Sequence, residues 1–417
     1  MSEVYEIERL AAGGDGIAST PDGPIYIPFA LPGETWRRLA DGTFEQAGPS
    51  SPMRVEPPCP HFGRCGGCLM QHLAPSHYEE WKRSLVDAAF RRQSLTLPAY
   101  EFQTCPDGSR RRLTLSAVAT KHGTLLGFFE HRSHTIVDLE ECVIARPDIV
   151  SQLPHLRTLA RLVLDARPKR AFAPLRLTVA ELKGALDVAL TGAGITITAA
   201  IRSRCAELAA LTKLQRISID GDLILMRAEP CLITSGGHIV PPPGAFFQAV
   251  EAIEHAMAAM VSAGIGKAKR VADLFAGVGT FTLPLARAAR VSAFDTERAA
   301  LEALASAVRN ASGLKPVVTV HRDLFREPLS LMELREFDAV VLDPPRAGAR
   351  AQCEAIAKSG IGRVVMVSCN PDTMARDIRS LADGGFVINA FAAFDQFHWS
   401  DHIEAIAVLS RKSLPRR

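Results

Sequence analysis

Between about Pro241 and Ser410, short apolar runs alternate with stretches of helical period, and few architectures accept that alternation. The runs are Arg270–Phe275, Val291–Asp295, Val317–His321, Ala339–Leu342 and Val364–Ser368. Between most of them lie segments with the 3.6-residue apolar repeat of a helix, such as Arg298–Ala311 and Ala349–Ser359. Ile388–Phe394 and Ile403–Ser410 then follow as two strands in succession. Strand–helix alternation that closes on a strand pair implies an α/β fold, a Rossmann-like doubly wound sheet with an antiparallel edge.

At 417 residues the chain is too long for one ordinary core, and its texture divides it into three. Residues 1–52 are rich in Gly and Pro. Gly13-Gly14-Asp15-Gly16 and Pro21-Asp22-Gly23-Pro24 are turn signals flanking Val4–Ile7 and Ile25–Pro28, the pattern of a small, short β-barrel. Residues 53–240 hold a cysteine-rich loop at 59–68 and a helix expected over Ser76–Arg92. Strands such as Leu113–Ala119 and Leu125–Phe129 follow, mixed with helical segments, which makes a mixed α+β region. Its cations, among them Arg110-Arg111-Arg112, Lys121, Arg132, Lys169 and Arg170, read one by one as solvated surface. Residues 241–417 form the α/β domain.

Hydrophobic residues make up 47% and charged residues 22%, the balance of a folded protein. Met1–Arg9 carries no cationic stretch followed by an apolar run, and no uncharged apolar stretch of about 18 residues occurs, so neither a secretory signal nor a membrane span is expected. The expected location is the cytoplasm. A net charge of +3 neither requires nor excludes nucleic acid, because phosphate binding depends on a local basic patch.

In doubly wound sheets, ligands sit at the carboxyl ends of the strands near the point where strand order reverses. The first strand ends in Asp273-Leu274-Phe275-Ala276-Gly277-Val278-Gly279-Thr280-Phe281. Gly277 and Gly279 let the backbone turn sharply and approach a ligand, although two glycines fall short of the dinucleotide fingerprint. Asp295 ends the second strand, where a carboxylate can accept from ribose hydroxyls. Asp323 follows the third, placed for an adenine amino group, and the fourth ends in Asp343-Pro344-Pro345-Arg346. Acids at four successive strand ends suit a cationic sulfonium better than an anionic pyrophosphate, which favours S-adenosylmethionine over a nicotinamide dinucleotide.

The fifth strand ends in Ser368-Cys369-Asn370-Pro371, at the same edge of the sheet. A helix beginning near Asp372 would lend positive potential that favours thiolate. In the last strand, Glu404 lies within the apolar run Ile403–Leu409, a costly place for a carboxylate without function or partner. A methyl donor, a nucleophilic thiol and a buried carboxylate together define one chemistry. Carbon 5 of uracil attacks a methyl sulfonium only after a thiolate has added at carbon 6, and a base must then remove the carbon-5 proton so that the thiolate can leave. Cys369 is the candidate nucleophile and Glu404 the candidate base, and the target base must leave its stack to reach them.

Nine cysteines do not imply a disulfide framework in a reducing compartment. Cys59, Cys65 and Cys68 crowd one loop with Gly and Pro, and Cys142 in Leu139-Glu140-Glu141-Cys142 is the candidate fourth ligand. Four thiolates suit zinc or a [4Fe–4S] cluster, and spacing does not separate the two.

Phe247-Gln248, the Asp273–Phe281 loop, Asp343-Pro344-Pro345-Arg346, Ser368-Cys369-Asn370-Pro371 and His402-Ile403-Glu404, in this order, resemble the RNA uridine-5-methyltransferases that modify bacterial tRNA and large-subunit ribosomal RNA. The resemblance spans nearly the whole chain and implies a class I methyltransferase domain. It implies that Gln248, Phe275, Thr280, Asp295, Asp323 and Asp343 surround S-adenosylmethionine, with Cys369 and Glu404 in the roles above. It implies an OB- or TRAM-like RNA-binding barrel at the amino terminus and an RNA-binding central domain. In the ribosomal branch of the family the cysteine pattern holds an iron–sulfur cluster, which favours [4Fe–4S] over zinc and ribosomal RNA over tRNA as partner. The chain departs from the family pattern at Asp295, usually Glu, and at Thr280, often Asn. A monomer is expected. Rival readings are a tRNA uridine-5 or RNA cytosine-5 methyltransferase, an amino-group methyltransferase using Asp343-Pro344-Pro345, and a catalytically silent RNA-binding iron–sulfur protein.

Overall fold

The structure, a computed structural model, describes residues 3–168 and 173–411. Lys169 and Arg170 lie outside the described residues. Seven strands of the carboxyl-terminal domain are numbered here in chain order. They are β1 (Arg270–Leu274), β2 (Arg290–Asp295), β3 (Val317–His321), β4 (Ala339–Leu342), β5 (Arg363–Ser368), β6 (Phe386–Asp395) and β7 (Glu404–Arg411). They run in the order β3-β2-β1-β4-β5-β7-β6 in one eight-stranded sheet. The first five are parallel, and β7 inserts antiparallel between β5 and β6. Strand order reverses between β1 and β4, so both carboxyl ends open on one crevice.

The buried runs of β4, Ala339 to Leu342, and β5, Val364 to Ser368, carry no alternation because helices cover both faces. Glu251–Gly264 and Thr282–Ala286 pack on one side, against Val341, Val365 and Ile406. Arg350–Lys358 and Pro371–Asp383 pack on the other, against Val340, Val364 and Ala407.

The eighth strand, Glu101–Thr104, runs parallel beside β6. The helix before it, Pro75–Arg92, buries Val86, Ala89 and Phe90 in the same core as Ile378 and Phe391. Residues 75–104, grouped by sequence texture with the central region, thus complete the catalytic sheet.

The central region is a six-stranded sheet in the order Asp222–Met226, Leu214–Ile219, Ala185–Thr191, Leu175–Leu182, Arg112–Thr120, Gly123–Gly127. Helices Leu153–Ala166 and Ala199–Ala210 close its core. At the amino terminus two three-stranded sheets enclose Tyr5, Ile7, Ala18, Ile27 and Ala30. The buried Glu34 ties the end of this small unit. Its carboxylate accepts from Leu31 N–H at 2.9 Å, Trp36 Nε1 at 3.0 Å, Ser51 N–H at 3.2 Å and the Arg54 guanidinium. These donors hold its pKa down at about 2 against the cost of burial. No helix among the described residues is long and apolar enough to cross a membrane.

Candidate active site

The carboxyl ends of β1, β2, β4 and β5 and the start of β7 surround a cavity of about 610 Å³. That volume suits a cofactor-sized ligand. Gln248, Phe275, Thr280, Asp295, Asp323, Asp343, Cys369 and Glu404 all line it. The sequence separates these residues by more than 150 positions, and the doubly wound topology brings them together.

Each side of the cavity is built by local chemistry. β1 stops one residue earlier than its apolar run because Phe275 turns into the left-handed region, at φ +63°. Gly277 and Gly279 continue the turn at φ +55° and +97°. Asp295 fastens this loop to the end of β2: its carboxylate accepts from Gly277 N–H at 2.8 Å and from Glu297 N–H at 2.8 Å. Asp323 caps its own turn, accepting from Phe325 N–H at 3.0 Å and Arg326 N–H at 3.2 Å. Phe325 thereby meets Phe275 with ring centroids 5.4 Å apart. Phe325 is largely exposed, and with Phe246, Arg322 and Glu297 it lines the cavity without having been singled out in the sequence. An exposed aromatic two residues after a strand-end acid is the signal that would have found Phe325.

Beneath the loop, Asp273 is fully buried. Thr282 Oγ1 donates to its Oδ2 at 2.5 Å, and its Oδ1 has no partner among the described residues. Burial raises its pKa to about 7. Asp343 is likewise pushed up to about 7, by burial and then by the nearby Asp273 and Asp295. Carboxylates crowded in a low-dielectric site resist ionising together, and a neighbouring cation relieves that.

Cys369 follows β5 directly. Asn370 caps the helix Pro371–Asp383, its Oδ1 accepting from Asp372 N–H at 3.0 Å and Thr373 N–H at 3.5 Å. The Asn370 amide thus occupies the N–H groups at the helix start, which lie beside the Cys369 turn. Burial, then Glu404 and Asp343, push the Cys369 thiol up to about 12, with Arg346 opposing. Asn370 Nδ2 and Thr373 Oγ1 both donate to the Arg346 carbonyl, at 3.3 and 3.1 Å, and so bind the Cys369 turn to the segment after β4. Glu404 is 3% exposed, its pKa raised to about 8 by burial and by Asp343.

Cys59, Cys65, Cys68 and Cys142 line a second cavity, walled by Phe62, Phe128, Leu139, Val143 and Ile144. Burial and mutual repulsion raise the Cys65 thiol to about 11 and push Cys68 higher still. Four thiolates persist in such a place only beside compensating positive charge. Among the described residues, however, no group of three or more His, Cys, Asp or Glu side chains is disposed to hold a metal ion. The four cysteines share a cavity without forming a closed ligand cage.

The cations read as surface are not all solvated. Arg111 is 2% exposed and pairs with the buried Glu254 at 2.7 Å, across the boundary between central and catalytic domains. Arg112 donates to the carbonyls of Ala245 and Gly244 and lies over the Phe246 ring, supporting the lip of the cavity.

Residues 239–412 match the model of the tRNA (uracil-5-)-methyltransferase family. Over 98% of its length the chain is 43% identical to the whole of an uncharacterized RNA methyltransferase of Agrobacterium fabrum. It is 34% identical to the 23S rRNA (uracil(1939)-C(5))-methyltransferase RlmD of Chromohalobacter salexigens, over 97% of this chain and 88% of that protein. The fold matches that of Pyrococcus abyssi tRNA (uracil-54, C5)-methyltransferase in complex with S-adenosyl-L-homocysteine, with a TM-score of 0.72 and 24% identity, covering 98% of this chain and all of the other. Whole-length relatedness of this kind, on a class I methyltransferase sheet, places the chain in the family of S-adenosylmethionine-dependent RNA (uracil-5-)methyltransferases.

Proposed function

We propose that this protein methylates carbon 5 of one uridine in 23S ribosomal RNA, in the cytoplasm and as a monomer, with Cys369 as nucleophile and Glu404 as base. The observation that carries the roles is that both side chains line the same cavity as the acidic strand ends. The Cys369 thiol gives its proton to water as its sulfur adds to carbon 6 of the flipped uracil, and the carbon 5–carbon 6 π electrons move to an enolate. Carbon 5 then takes the methyl group from the sulfonium, leaving S-adenosylhomocysteine. Glu404 removes the carbon-5 proton, the double bond re-forms, and the carbon 6–sulfur bond breaks to release thiolate. A pKa near 8 suits a carboxylate that must accept a carbon-bound proton near neutral pH.

Cys59, Cys65, Cys68 and Cys142 are proposed to hold a [4Fe–4S] cluster. What supports this reading is the donor set: four thiols around one apolar cavity are the ligand type such a cluster takes. The cluster would supply no electrons to methyl transfer; it would join loop 59–68 to Cys142. Ribosomal RNA is favoured by the likeness to the RlmD protein across the chain, and tRNA is the second reading, favoured by the family model.

Nucleoside mass spectrometry of 23S rRNA and of tRNA from cells with and without the gene tests the reading. Loss of 5-methyluridine from 23S rRNA alone is expected. Loss from tRNA would replace the target, and no loss from either pool, with 5-methylcytidine missing instead, would overturn the uridine assignment.

A further inference from the structure

Gln396 follows β6 and is 1% exposed, yet its side chain reaches the active site through two other residues. Its Oε1 accepts from Ala249 N–H at 3.0 Å. A backbone N–H can only donate, so this contact fixes which end of the amide is oxygen and which is nitrogen. The Nε2 end must then face Glu404 Oε2 at 2.8 Å and Gln248 Oε1 at 2.6 Å. One amide hydrogen goes to each acceptor.

The consequence for Glu404 is asymmetry between its two oxygens. Oε2 receives a permanent donor, so a proton carried by this carboxyl resides on Oε1, which has no hydrogen-bond partner among the described residues, in a side chain that lines the cavity. The consequence for Gln248 is polarity. With its Oε1 committed to Gln396, its own NH2 is left as a donor, and Gln248 lines the same cavity. Any acceptor would have satisfied Ala249 N–H. Only a side chain with a two-hydrogen donor serves both acceptors at once.

We propose that Gln396 is a positioning residue of the reaction: it assigns the proton-accepting oxygen of Glu404 and leaves the Gln248 amide as a donor at the cavity wall. The inference rests on Glu404 being the base. In the resolving step the carbon-5 proton passes to Glu404 Oε1, its bonding pair re-forms the carbon 5–carbon 6 double bond, and the sulfur departs with the carbon 6–sulfur pair. The Gln396 N–H stabilises the carboxylate form from which that step starts, so its loss raises the pH at which the step becomes competent.

The test uses the full protein, S-adenosylmethionine and an RNA that the wild type methylates, in single turnovers from pH 6 to pH 9. Covalent RNA–protein adduct is followed on denaturing gels. Gln396→Met removes the donor, and Gln396→Glu keeps shape and the acceptor for Ala249, which guards against a folding failure of the first. Both are expected to form adduct at near wild-type rate and to resolve it about tenfold more slowly at pH 7.5, with the pH midpoint of resolution moved up by about one unit. An unmoved midpoint in both variants, or slowing confined to adduct formation, overturns the proposal. Glu404→Gln separates the two layers. If it turns over normally, the base assignment falls and this inference with it. If it traps adduct while both Gln396 variants resolve adduct like wild type, only the role of Gln396 falls.

Discussion

Cys369 is held as a thiol in the free protein, since burial and two carboxyl neighbours push it up to about 12. In its proposed role this thiol needs the charge that ligands bring, and the S-adenosylmethionine sulfonium would supply it. Asp273 and Asp343 sit near 7, above their ordinary value, so the folded free protein holds protons that the unfolded chain would release. These two groups favour the folded state at low pH, and the benefit is lost as pH rises from about 4 through 7. A bound sulfonium reverses the preference by favouring the ionised acids. S-Adenosylmethionine should gain affinity over the neutral thioether S-adenosylhomocysteine as pH rises from 6 to 8, by up to about tenfold. Calorimetric titration of both ligands across that range checks it; a constant ratio would remove these acids from sulfonium binding. Cys369→Ala should abolish methyl transfer and adduct formation while S-adenosylmethionine still binds, and turnover by that variant would end its role as nucleophile. At this scale the sequence was readable where a residue broke a local rule. Glu404 within an apolar strand announced itself, whereas Lys82, inside a helix of ordinary surface composition, gave no sign of its buried pairing with Asp395 at 2.7 Å.

The element that most shapes the cavity wall is the turn after β1, and its backbone leaves little room for side chains. A Cβ on Gly279 would meet Leu304 Cδ1 at 2.4 Å, and at φ +97° any L-residue is strained. Gly279→Ala is expected to cost about 1–3 kcal/mol of stability and to weaken S-adenosylmethionine binding, because the strained loop also carries Thr280. Thermal melts with and without ligand measure both effects, and an unchanged ligand-induced shift would mean that the loop relaxes without touching the site. Strands β1 to β5 were legible to within a residue or so, since each is a short apolar run ended by a charged, polar or glycine-bearing turn. The strand Glu101–Thr104 was not. Four residues with one half-buried side chain carry no period of their own, and only the neighbouring β6, nearly 300 positions later, makes them a strand. Helix Pro75–Arg92 was legible as a helix, but not that Val86, Ala89 and Phe90 enter the catalytic core while Tyr78 and Trp81 pack with Cys68 and Ile144, because an apolar face does not say which core it enters.

Across the molecule, the cysteine loop and Glu404, the proposed base, are joined by one short path. Leu69 N–H and Met70 N–H both donate to the Trp399 carbonyl, at 2.6 and 3.1 Å. Trp399 N–H donates to Tyr78 Oη at 2.8 Å, and Tyr78 Oη donates to Asp395 at 2.7 Å. Lys82 closes the arrangement by donating to Asp395 and to the His402 carbonyl. The segment from Asp395 to His402, with Gln396 at one end and Glu404 just past the other, is therefore gripped by the loop that carries Cys59, Cys65 and Cys68. Gly66 N–H, donating to the Phe129 carbonyl at 2.8 Å, ties that same loop to the central domain. A group bound by the four cysteines would tighten this path without touching substrate. Cys68→Ser, purified anaerobically, should accordingly lose iron and slow methyl transfer to RNA by about tenfold or more, while S-adenosylmethionine affinity stays within about threefold of wild type. Asp295, Asp323 and Asp343, at the carboxyl ends of β2 to β4, share no hydrogen bond with this path among the described residues, which is why the two effects should separate. Iron-free wild-type protein with full activity would show that the cysteines serve the fold as thiols alone, and a parallel loss of cofactor affinity would show that the path extends to the whole sheet.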